Sequence, residues 1–146
     1  MMKPSFLCTQ HREWLFEDLR RSESYWNVWT DAAEKSQTQQ RERDAIVQLG
    51  CAWELSEHML NNEWPSAPLA TERFTLSSLA LCRSLLFAGI ENGGERLLKY
   101  AQDVLNSRLQ HQPDDTNTLA CLATIGKACN CCVETNPNWQ HSVQVH

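Results

Sequence analysis

Residues 25–60, YWNVWTDAAEKSQTQQRERDAIVQLGCAWELSEHML, constrain this chain more than any other stretch. The first half places Trp26, Trp29 and Ala33 on one helical stripe. The second half repeats the pattern with Ala45, Leu49, Ala52, Trp53 and Ser56, at steps of about three and four residues. Between them SQTQQRERD is wholly polar and interrupts the stripe. Two antiparallel helices joined by a tight turn fit this better than one very long helix. Nothing in the chain alternates with period two for long enough to be a strand, so the fold class is all-α.

Punctuation divides the rest. Pro4 discourages a helix at the start, and Thr9 offers an N-cap for a first helix over 10–21 that carries Trp14, Leu15 and Leu19. Ser22 or Ser24 then offers a fresh cap for the Trp26/Trp29 helix. Residues 61–71, NNEWPSAPLAT, read as a connector because of Pro65 and Pro68. Thr71 can cap a helix over 72–88, apolar on more than one face and therefore expected at the centre. Gly89, Asn92, Gly93 and Gly94 mark a turn, a further helix spans 95–110, and Asp115 can cap a last helix over 116–133. About six helices result, forming one domain over 1–135, with 136–146 as a polar tail.

The 146 residues suffice for one hydrophobic core, and 42% hydrophobic against 21% charged residues excludes a disordered chain. A net charge of -5 argues against nucleic acid, which demands a concentrated basic surface. No run approaches the roughly 18 apolar residues of a membrane span. The opening MMKPSFLCTQHRE has no apolar stretch of signal-peptide length, so the expected location is cytoplasmic. The seven cysteines are then expected as thiols.

Residues 25–60 resemble a tetratricopeptide repeat, a helix–turn–helix of about 34 residues. Trp29 and Ala33 match its first helix, and Ala45, Leu49 and Ala52 match its second. The family's aromatic at the end of the first helix is replaced by Ser36, and its closing proline is absent. The resemblance is to a degenerate array of hairpins, right-handed if it follows the family, or closed into a compact bundle. It implies a non-catalytic module that binds a protein or peptide in a groove lined by the first helix of each hairpin. On that reading Asn27, Thr30 and Glu34 line the groove in the first hairpin, and Ser78 and Arg83 in the second. A short array has two end surfaces, so a homodimer is a natural partner state.

Other residue types suggest other chemistry. Cys8 with His11, and Cys129 with Cys132, are each spaced for shared ligation and together would supply the four ligands of a zinc site. That makes a metal- or thiol-dependent sensor the alternative to a binding module without cofactor. Glu54, Glu57 and His58 fall on one side of the second repeat helix, where a solvated face is expected rather than acid–base catalysis. Gly93 and Gly94 lack the Lys-Ser/Thr of a phosphate loop, and no enzyme is expected. Trp26, Trp29 and Trp53 are expected in the core. Trp64 in the connector and Trp139 in the tail are the aromatic anchors expected to meet a partner.

Overall fold

The computed structural model describes Lys3, residues 5–90 and residues 92–135, the last five by their helical backbone alone. Trp139 and the expected tail lie outside the described residues. The elements are α1 (Thr9–Phe16), α2 (Leu19–Thr38), α3 (Glu42–Asn61), α4 (Ala67–Phe87), α5 (Gly93–His111) and α6 (Thr116–Thr135). Among the described residues there is no strand. The helices pack in sequence as adjacent antiparallel pairs: α2 on α3, α3 on α4, α4 on α5, then α6 on both α5 and α4.

The first break falls earlier than the sequence predicted. The expected helix over 10–21 stops at Phe16, and α2 is capped by Asp18, not by Ser22 or Ser24. Asp18 Oδ1 accepts from the N–H groups of Arg20 and Arg21 at 2.9 and 3.4 Å, which satisfies two donors that a helix start leaves open. Ser22 lies inside α2 instead, donating its hydroxyl to Leu15 O at 2.6 Å and so tying α2 back to α1. Cys8, not Thr9, occupies the N-cap of α1.

The α2–α3 turn closes in the middle of the polar run, between Thr38 and Glu42. Gln40 takes the left-handed conformation, and the Arg41 N–H reaches back to Ser36 O at 2.8 Å, a bond that meets a carbonyl left over at the end of α2. The pair packs closely, its small residues Ala33, Ala45 and Ala52 all being buried, and Ser36 on α2 donates to Gln48 Oε1 on α3 at 2.7 Å.

Helix α4 begins a full turn before the expected Thr71. Ser66 caps it, its Oγ accepting from Leu69 N, and Pro68 falls in the first turn, where a missing N–H costs nothing. Thr71 is a turn inside the helix and donates to Ala67 O. Asp115 caps α6 as the sequence suggested, accepting from both the N–H and the hydroxyl of Thr118.

The main core gathers Trp53, Leu60, Phe74, Leu81, Leu97, Leu98, Ala101, Leu105 and Ile125 from α3 to α6. A second cluster of Leu7, Leu15, Cys51 and Leu55 lies under α1, and Trp26 and Trp29 pack against it half-buried. Helix α3 is the most enclosed element, buried on every side along most of its length.

Candidate functional site

Helix α4 is apolar nearly all round, yet one of its faces is open. Leu76 is 62% exposed and Phe87 77% exposed, in line with half-buried Ala80 and exposed Arg83 at steps of four, three and four residues. Such spacing makes one continuous stripe along the helix. Helix α2 runs beside it. Arg73 on α4 pairs with Glu23 on α2 at 2.5 Å and stacks over Trp26, 4.9 Å from the ring centroid. The Trp26 indole donates to Ser77 Oγ at 2.9 Å, and Gln37 Nε2 donates to Ser84 Oγ at 3.1 Å.

On α2 the cross-linked residues Trp26 and Gln37 flank Thr30 and Glu34. On α4 Arg83 lies on the open stripe with Leu76 and Phe87, about 100° round the helix from Arg73, Ser77 and Ser84. Glu34 and Arg83 are exposed. Thr30 is half-buried and donates to Trp26 O, and exposed Asn27 donates to Glu23 O within its own helix. Ser78 does not join them: it is buried, accepts from the Trp53 indole at 2.9 Å and donates to Phe74 O at 2.8 Å. Leu76 and Phe87 belong to the helix that the sequence pattern places at the centre. Their exposure was hidden because an all-round apolar pattern does not say which side lacks a neighbour.

Trp64 belongs elsewhere. It is half-buried and lines an open cleft of about 510 Å³ with Phe16, Glu17, Asp18, Leu19, Arg20, His58 and Asn62. The buried indole N–H has no partner among the described residues. His58 stacks flat on Phe16, with centroids 3.9 Å apart and planes 4° from parallel. Its Nε2 lies 3.2 Å from Phe16 O, an acceptor only, so the proton is on Nε2. Burial holds the imidazole pKa below its ordinary value, the Lys3 charge adds to this, and the bond to Phe16 O opposes it.

The expected solvated face of α3 is a correction. Glu54 and Glu57 are 1% and 6% exposed. Their partners come from the segment ahead of α1 and from distant helices. Glu54 accepts from the N–H groups of Phe6 and Leu7 and from Arg12, whose Nη2 and Nε lie at 3.1 and 3.2 Å. Glu57 accepts from Lys3 Nζ and from the hydroxyl of Tyr100. Burial, and the Glu57 charge after it, push the Tyr100 hydroxyl pKa upward. A buried carboxylate is tolerated only with such donors. No signal on α3 itself announced this: Cys51, Ala52, Trp53, Leu55, Met59 and Leu60 leave one arc of the helix to Glu54, Glu57 and His58, and what covers that arc comes from elsewhere in the chain.

The Cys8 thiol accepts from His11 N at 3.5 Å as the cap of α1, which packs on α2 and α3. Cys129 lies on α6, which packs on α4 and α5. Among the described residues no three His, Cys, Asp or Glu side chains are placed to hold one metal ion, and the side chain of Cys132 lies outside them. Among the described residues, too, no helix is long and apolar enough to cross a membrane.

No known protein-family model matches the chain, and comparison with curated proteins and with solved structures gives no match.

Proposed function

We propose that the protein is a non-catalytic module that binds a protein or peptide segment along the α2–α4 seam. The observation that carries this is the open stripe of α4, where Leu76 and Phe87 present large apolar side chains on either side of Arg83. Leaving two such residues in water forgoes about 1.5–3 kcal/mol of burial each, and a partner recovers it. The sequential packing of α2 on α3 and α4 on α5 supports reading them as two hairpins; by the tetratricopeptide resemblance the first helix of each would line the groove. The segment that fits carries two apolar anchors, with a carboxylate between them to meet Arg83.

A displayed peptide library selected against the full chain tests this reading. The selected peptides should bind a Leu76→Asp/Phe87→Asp variant at least tenfold more weakly, because apolar anchors dominate such interfaces. Both positions are exposed, so the variant should keep its helical circular dichroism. Peptides that bind variant and unaltered chain alike would sink the proposal.

A further inference from the structure

We infer that α3 carries a second recognition site: a trench for a segment with a lysine three residues ahead of a Phe-Leu pair, occupied here in cis by Lys3, Phe6 and Leu7. The trench is built for that pattern. Gly50 leaves no Cβ, and the Phe6 ring fills the space against the helix where one would stand. Four residues on, Glu54 takes the two successive backbone N–H groups of Phe6 and Leu7. One turn further, Glu57 takes the ammonium of Lys3, which also lies 5.7 Å from the Trp53 ring centroid. Arg12 closes the side by donating to Ser5 Oγ at 2.6 Å and to Leu7 O at 2.8 Å. Leu7 enters the cluster around Cys51, and Phe6 packs against both cores.

The occupant's polar bonds to α3 all end on the Glu54 and Glu57 carboxylates, and its lysine is over a third exposed. A segment that offers the same donors therefore competes for the same two acceptors. The trench without it holds two buried carboxylates short of donors, a state that any segment with the same donors relieves. The partner is therefore a segment that repeats this cation and Phe-Leu spacing. This site lies on α3, apart from the α2–α4 seam, and stands or falls independently of it.

The test uses the full chain, unaltered and as Phe6→Ala, with a fluorescein-labelled peptide of residues 3–9 carrying Cys8→Ser. Anisotropy should show saturable binding to the Phe6→Ala chain. Binding to the unaltered chain should be at least about tenfold weaker, since its own segment competes at a high effective concentration. No saturation, or equal binding by a peptide with Phe6→Ala, overturns the inference. Circular dichroism checks that the variant is folded, and Lys3→Ala replaces it if it is not. On the unaltered chain, the Phe6 and Leu7 amides should exchange with deuterium at least about 100-fold faster than those of Leu55 and Met59. Equal rates would mean the segment leaves only on global unfolding, and overturn the inference as well. A concentration-dependent doubling of mass that Phe6→Ala abolishes would assign the trench to a second copy instead.

Discussion

The indole N–H of Trp53 on α3 donates to Ser78 Oγ on α4 at 2.9 Å, and both residues are fully buried. This bond fixes the register of the two helices at the centre of the main core. Ser78→Ala leaves the indole N–H without an acceptor and should cost about 1–3 kcal/mol. Trp53→Phe should cost about 2–4 kcal/mol through the cavity it opens. The double variant should be more stable than the sum predicts by about 1 kcal/mol, because the bond is lost only once. Urea unfolding of the four chains gives the coupling, and strict additivity would deny the bond any part in stability.

Gly50 gives a prediction whose sign is opposite to the usual one. Replacing a glycine inside a helix by alanine stabilises by about 1 kcal/mol when there is room. Here the new methyl collides with the Phe6 ring, and the segment carrying Phe6 also satisfies Glu54 and Glu57. Gly50→Ala should therefore lower the melting temperature by several degrees. A rise would show that the ring yields without loss.

The pairing of α2 with α3 was legible because it rests on local spacing: Ala33, Ala45 and Ala52 announce a close helix contact, and all three are buried in a chain where α2 packs along α3. Helix boundaries were less so. Asp18 and Ser66 won as caps over Ser22 and Thr71 because Asp18 reaches two N–H groups at once and Pro68 suits a first turn. Glu54 and Glu57 were misread as surface because their donors, Lys3, Phe6, Leu7, Arg12 and Tyr100, lie more than 40 residues away in the chain. A helical window records the charges and not what neutralises them. The same blindness hid the open side of α4, since only the tertiary arrangement decides whether Leu76 meets a neighbour.

The histidine on the cleft makes stability depend on pH in a defined direction. Burial holds the His58 pKa in the folded chain below the 6.5 expected when unfolded. The unfolded state therefore binds the proton more readily. The contribution of His58 is full above pH 6.5, falls as pH drops below it, and levels off beneath the folded-state pKa. His58→Phe keeps the stacking on Phe16 and removes the titration. Unfolding free energies at pH 7.5, 6.5 and 5.5 should decline less steeply in the variant, and parallel curves would refute the assignment.

Cysteine reactivity reads out the segment over α3 by independent chemistry. Burial pushes the Cys51 pKa up to about 11, with the charges of Glu54 and Cys8 acting in the same direction. At pH 8 only about one Cys51 thiol in a thousand is the reactive thiolate, and its site is closed. Exposed Cys8 should thus be alkylated by iodoacetamide at least tenfold faster, as peptide mapping after brief labelling would show. Leu7 packs in the same cluster as Cys51, so displacing the segment uncovers that thiol. Gly50→Ala, which pushes Phe6 away, should raise Cys51 labelling and leave the Cys8 rate within about twofold, because Cys8 is already open to reagent. Unchanged Cys51 labelling in a folded Gly50→Ala chain would mean that Leu7 stays in place without Phe6, and that Glu54 rather than the aromatic contact anchors the segment.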